Sequence, residues 1–195
     1  MLTPQPEESN YVLDAAERMF LEQGYAGTKL RELASRLKIK PASLYYHAPG
    51  GKEELWQLVM DRALKRHRFQ LLAVAGQAGP GLRSQLQAMA DWLVSQPPVN
   101  MLSLISPQLY NSDKQVASQW ADRLYESMMD PIVQILKAAI VRGEIRPVEP
   151  DLLAGAFIVS INGLLPLAQT GQLPRSAREL AYELIGVLLD GLRPR

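Results

Sequence analysis

Residues 33–55 read LASRLKIKPASLYYHAPGGKEEL. Leu30, Leu33, Ala34 and Leu37 follow the i, i+3, i+4, i+7 spacing of a helix with one buried stripe. A tight turn follows at Lys38 to Lys40. Pro41 then suits the first position of a new helix, where its missing N–H costs nothing. That helix stops near His47, before Pro49, Gly50 and Gly51. Ile39 and Leu44 anchor the turn and the second helix, and Ala34 is small where two helices must cross closely. Two short helices joined by a tight turn are a helix-turn-helix unit. The second helix ends on Tyr45, Tyr46 and His47, rings that a core helix or a solvated helix rarely displays together.

Upstream, Val12, Leu13, Ala16, Met19 and Phe20 predict a helix from about Pro6 to Gln23. Gly24 ends it, and Thr28 is the expected N-cap of the next helix. Downstream, a fourth helix begins near Gly51, with Glu53 and Glu54 in its first turn, where the helix dipole favours anions. It runs to about Val74. Further helices are expected at about 82–95, 101–110, 113–142, 150–169 and 176–192. Pro131 is expected to kink or split the longest of them. No strand-type alternation, internal repeat or low-complexity segment appears. The fold class is therefore all-α: an N-terminal three-helix helix-turn-helix domain over residues 1–51, and a helical domain over residues 52–195.

The whole chain of 195 residues carries a net charge of only +1 and no cysteine. Disulfides and thiolate chemistry are excluded, and the charge alone announces no partner. Locally the balance differs. Between Thr28 and His47 stand Lys29, Arg31, Arg36, Lys38 and Lys40 against one anion, Glu32. A basic segment in a neutral chain points to a localised anionic partner. Residues 152–174 carry no charge, long enough to suggest a membrane span. Ser160, Asn162, Pro166, Gln169 and Thr170 argue instead for a helix buried on most sides in protein. The acidic, proline-bearing start does not resemble a signal peptide, and a cytoplasmic location without membrane contact is expected.

A helix-turn-helix lays its second helix in the DNA major groove, which is wide enough for one helix. Residues near the N-terminus of that helix reach base edges; here they are Lys40, Ala42 and Ser43. Tyr45, one turn on, reaches bases or the phosphate wall, or else packs against the first helix. Tyr46 and His47 can donate to phosphates, though His47 could also cap its own helix. Lys52, at a helix N-terminus, can bind another phosphate. Lys29 is a further candidate, or a solvated cation.

Enzyme readings find no footing. The only histidines are His47 and His67, and no metal-ligand spacing, phosphate loop or nucleophile motif appears. No catalytic residue, metal or cofactor is expected.

Residues 12–60 resemble the TetR family of transcriptional regulators. The matching stretches are VLDAAERMFLEQGYAGTKLRELASRLKIKPASLYYH at 12–47 and GKEELWQLVM at 51–60. The resemblance implies phosphate contacts from Thr28, Tyr46, His47 and Lys52, and base-facing positions at Lys40, Ala42, Ser43 and Tyr45. It also implies a homodimer on a double-stranded, palindromic operator, and a small-molecule effector in the second domain. Three features depart from the family pattern. Lys38 stands where glycine is usual, Ala48 replaces an aromatic residue, and the Pro49–Gly51 loop is one residue longer. A left-handed backbone at Lys38 would cost ~1–2 kcal/mol.

In the second domain, Trp56, Met60, Met89, Trp92, Met101, Trp120, Leu124, Tyr125 and Met128 are the candidate effector pocket. Methionine and aromatic side chains line adaptable apolar sites, and they also fill ordinary cores. Few charges lie nearby, so a mostly apolar or aromatic effector is expected. A helix apolar on all sides must be covered on all sides. Gly155, Ile158, Asn162 and Leu165, with Ala181, Leu184, Ile185 and Leu188, are the candidate dimer interface. The expected function is a repressor released from DNA by its effector. The alternatives are a transcriptional activator, or a helical small-molecule or lipid carrier without DNA binding.

Overall fold

The computed structural model describes residues 6–96, 114–171 and 175–192. All regular structure among them is helical. The described helices are α1 (Pro6–Gly27), α2 (Leu30–Leu37), α3 (Pro41–His47), α4 (Lys52–Gln77), α5 (Leu82–Ser95), α6 (Lys114–Leu124), α7 (Asp130–Val141), α8 (Pro150–Gln169) and α9 (Ala177–Gly191). A π-helical turn, Tyr125–Met129, joins α6 to α7.

The described residues form two compact units. The first holds residues up to Lys65 together with Lys114–Ser118, and the second begins at Arg66 and resumes at Gln119. The boundary thus falls inside α4, not at residue 51. The reason is packing. Leu55, Trp56, Val59 and Met60 are buried, and Trp56 meets the Tyr25 ring edge-on at 5.9 Å. Arg62 of α4 pairs with Asp14 at 2.7 Å and Glu17 at 3.0 Å on α1. The first half of α4 is therefore a wall of the N-terminal unit.

In that unit Val12, Ala16, Met19 and Phe20 of α1 are buried, as are Leu33, Ala34 and Leu37 of α2 and Leu44 of α3. Gly24 breaks α1 with φ 70° and ψ 174°, a conformation that glycine alone adopts freely. Lys29, not Thr28, is the N-cap of α2, and it makes no side-chain cap bond. Pro41 opens α3 as expected.

In the second unit α5 is clamped by polar contacts to α9. Asp91 accepts from Arg178 and from the Tyr182 hydroxyl, each at 2.7 Å. Ser176 and Glu179 form a capping box at the start of α9, satisfying two orphan donors at once. Pro131 leaves the long helix continuous but widened just before it, by a specific device. Its ring clashes with the carbonyl four residues back in an α-helix; here that carbonyl belongs to Ser127, inside the π-helical turn. Arg68 of α4 fastens on this turn, donating to the Glu126 carbonyl and to Asp130.

The helix α8 is long and apolar enough to cross a membrane by length and composition, yet only 24% of that stretch is buried within the chain. Ala154, Phe157, Ile158 and Ile161 face the core, whereas Leu152, Val159 and Leu167 are 74%, 68% and 50% exposed. Burial on most sides is thus not achieved by one copy of the chain.

Candidate nucleic-acid interface

The helix α3 is held by one buried side chain, Leu44. Everything else on it faces outward or sits half-buried. Tyr45 is 53% exposed and Tyr46 68%. Ala42 is exposed, Ser43 half-buried, and Lys40 is the exposed N-cap residue. Ser43 N–H bonds the Lys40 carbonyl at 2.8 Å, which closes the first turn. The Tyr45 ring lies close over Gly51, so it leans toward the α3–α4 loop and not toward α1. His47 is half-buried, and its Nδ1 has no hydrogen-bond partner among the described residues.

The cations around α3 are unequal. Arg36 pairs with Glu22 and Glu32, both at 3.0 Å. Hydrogen bonds from Gln23 and Arg36 hold the Glu32 carboxyl below its usual range. This acidic group is therefore occupied within the α1–α2 face. Lys29, Arg31, Lys38 and Lys40 are exposed or half-buried and make no ion pair among the described residues. They form a positive border along the helix-turn-helix. Net attraction for an anionic surface follows from these four, with Arg36 already neutralised.

Two expected phosphate contacts already have partners within the chain. Thr28 is 1% exposed, and its hydroxyl donates to the Gly24 carbonyl at 2.8 Å, with the Met19 carbonyl at 3.3 Å. It satisfies the end of α1, and its single O–H donor is already engaged there. Lys52 is half-buried. Its ammonium lies 4.5 Å from the Tyr25 ring centre and donates to the Ala26 carbonyl at 3.3 Å. Burial pushes its pKa down. Two of its three N–H groups remain to meet a phosphate, but its first task is joining α4 to α1. Beside it, Glu54 accepts from the Gly50 N–H at 2.6 Å and orders the loop before α4.

The candidate pocket residues divide between the units. Trp56 and Met60 are core of the first unit. Met89, Trp120 and Met128 are buried in the second, where Leu124 is half-buried. Trp92 meets His67 edge-on at 4.5 Å. Tyr125 is 40% exposed and donates its hydroxyl to Asp151, so it is a surface tether and not a pocket wall. Met101 lies outside the described residues. An apolar cleft of about 10 Å³ is lined by Leu86, Ile132, Leu136, Phe157 and Leu188 among others. A wider cleft of about 270 Å³ is lined by Leu82, Arg83, Glu144, Ile145 and Leu189. None of the eight described candidates lines either. Among the described residues no cluster of His, Cys, Asp or Glu could hold a metal ion.

The candidate dimer residues are also redistributed. Ile158, Ala181 and Ile185 are buried within one chain, and Leu188 lines the small apolar cleft. Gly155, Asn162 and Leu184 are not fully buried, and Gly155 lies close to Met129. The side chain of Leu165 lies outside the described residues. The exposed apolar stripe is instead Leu152, Ala156, Val159 and Leu167 on α8, with Val187 on α9.

Sequence reasoning missed three residues of consequence. Tyr25 stacks on Phe20 at 6.2 Å and carries Lys52. Arg62 fixes α4 to α1. His67 is buried against Trp92, and burial, helped by the neighbouring Arg66 charge, pushes its pKa down to about 4. Only the clustering of aromatic residues near Gly24 signalled the first of these.

Residues 12–59 match the family model described as bacterial regulatory proteins, tetR family. The HTH-type transcriptional regulator LmrA of Bacillus subtilis (strain 168) is 50% identical over 44 residues, 23% of this chain and 23% of that protein. The chain thus matches less than a quarter of that relative's length. Three solved structures share the fold across almost the whole chain. A protein from Saccharomonospora viridis in complex with choline superposes with a TM-score of 0.74 at 19% identity, covering 98% of this chain and 100% of that one. PfmR, a TetR family transcriptional regulator from Thermus thermophilus, gives 0.62 at 22% identity over 94% and 99%. AibR in complex with isovaleryl coenzyme A and operator DNA gives 0.69 at 19% identity over 92% and 96%. At these identities the likeness shows a common fold and no more.

Proposed function

We propose, from a first domain that is a tetR-family helix-turn-helix domain, that this chain is a DNA-binding transcriptional regulator of the cytoplasm. It acts as a repressor, released from a palindromic operator by a small organic effector. One observation carries the reading. The helix α3 buries only Leu44 and turns Ala42, Tyr45 and Tyr46, with its N-cap Lys40, to solvent, beside cations that make no ion pair among the described residues. A helix this short, held by one anchor and fringed with donors, is suited to a groove.

A single α3 makes too few base contacts for useful specificity. A second copy supplies another, one duplex turn away. The α8 stripe of Leu152, Ala156, Val159 and Leu167 supports such pairing, since an apolar patch of this kind is costly in water. An effector with an apolar body is supported by the apolar cleft lined by Leu86, Ile132, Leu136 and Phe157 in the second unit. Fold relatives that hold choline and isovaleryl coenzyme A support a small organic molecule in general terms. Effector and operator then weaken each other's binding by the same factor.

The test is fluorescence anisotropy with duplex DNA from the chain's own upstream region. Binding should fall steeply with salt and saturate at two chains per site. A protein that stays folded yet ignores duplex DNA at low salt ends this reading and leaves a carrier of small molecules.

A further inference from the structure

Lys38 holds φ 55° and ψ 36°, the only non-glycine residue with positive φ among the described residues. Every other left-handed position there is glycine: Gly24, Gly51, Gly79, Gly143 and Gly171. The chain thus places glycine wherever its backbone needs this conformation, except in the helix-turn-helix turn itself. The turn is a well-formed helix stop. Lys38 N–H bonds the Ser35 carbonyl at 3.1 Å and Ile39 N–H bonds the Ala34 carbonyl at 3.0 Å, the bond pair of a Schellman motif. Glycine would form the same bonds without the steric cost of a Cβ. Backbone strain kept at one place, and avoided elsewhere, points to a use for the side chain.

The side chain is a cation in the open. Lys38 is exposed and makes no ion pair among the described residues. Glu32 on α2 and Glu22 on α1 are taken by Arg36. Lys38 stands two positions before Lys40, the N-cap of α3, and the N-terminal end of a reading helix lies deepest in the groove. A phosphate rail borders that groove, within reach of a four-carbon stem. We propose that Lys38 is an additional phosphate-gripping residue, and that the strained turn is retained for the sake of its ammonium. The inference rests on the DNA-binding reading above.

Three variants and one probe test it: a random-sequence duplex of about 30 base pairs, titrated between roughly 50 and 200 mM salt. Lys38→Gly relieves the turn and removes the charge. Its melting temperature should rise by a few degrees while its affinity at the low-salt end falls roughly fivefold. The slope of log affinity against log salt should shrink by about one unit. Lys38→Gln should lose the slope unit without the gain in melting temperature. Lys38→Arg should keep the wild-type slope. If wild type binds with a steep slope and Lys38→Gly binds equally, with the same slope, Lys38 is only a costly helix stop and the inference falls. If wild type itself does not bind the duplex, the regulator reading falls first, so the two failures are distinguishable. A Lys38→Gly protein that binds more weakly with an unchanged slope also overturns it, because the loss is then not that of a phosphate contact.

Discussion

The ammonium of Lys52 rests over the face of Tyr25, 4.5 Å from the ring centre. The same ring stacks on Phe20 and meets Trp56 edge-on. The first turn of α4 is thereby tied to the last turn of α1 through a partly desolvated cation. A cation over an aromatic face contributes about 1 kcal/mol at partly buried sites. Lys52→Met should lose about that much in urea denaturation, and a double-mutant cycle with Tyr25→Leu should return a coupling of similar size. Zero coupling would reduce the pair to mere proximity.

Tyr46 is the most exposed aromatic residue of α3. Substituting such a position leaves stability within about 0.5 kcal/mol. Tyr46→Ala should therefore melt like wild type while binding duplex DNA several-fold more weakly. Lys40→Ala should reduce the salt slope by about one unit. Unaltered binding in both variants would move the interface away from α3.

Thr28 should behave in the opposite way. Thr28→Val keeps the shape and removes the hydroxyl that the Gly24 carbonyl accepts from. Leaving that carbonyl short of a donor should cost about 1–2 kcal/mol. The folded variant should keep the wild-type affinity for duplex DNA. A several-fold loss of duplex affinity at low salt would restore Thr28 as a phosphate contact.

His67 makes stability depend on pH with a definite sign. Its folded pKa of about 4 lies below the ordinary value near 6.5. The unfolded chain therefore binds its proton first as pH falls. The contribution is fully present above about pH 6.5 and is lost progressively toward pH 4. Acidification across that window should cost on the order of 3 kcal/mol, and His67→Phe should flatten this part of the curve. An identical curve for the variant would assign the acid sensitivity to other groups.

Assembly can be separated from folding by choosing positions on the two faces of one helix pair. Val159 is 68% exposed and Ile185 fully buried. Val159→Glu should yield a folded monomer in sedimentation, with unchanged helical content. Ile185→Glu should unfold, since an unpaired buried charge costs several kcal/mol. A Val159→Glu protein that still sediments as a dimer would place the interface elsewhere.

The helix-turn-helix was legible because its constraints are local. Leu33, Ala34 and Leu37 repeat at helical spacing, Pro41 starts a helix, and glycines stop one. The α8 stripe was not legible for the complementary reason. A helix with apolar residues on every side has no phase, so Ile158 and Val159 look alike until a neighbour covers one of them. Thr28 was misread because a threonine before a helix suits a cap, whereas here its hydroxyl turns back to the preceding helix. Tyr25, Arg62 and His67 acquire their roles from partners 31, 45 and 25 positions away, and no periodicity encodes such pairings. A disturbance at Pro131 was visible, but its form, a widened turn in an unbroken helix, was not.

That widened turn has an evolutionary consequence. Removing one residue from an ordinary helix rotates everything beyond the cut by about 100° and scrambles the core. The turn at Tyr125–Met129 already holds one residue in surplus. A deletion of Glu126 should remove the surplus and leave both flanks in register, at the cost of a bend where Pro131 meets the preceding turn, so length variation among descendants of this chain has a place to occur without scrambling the core.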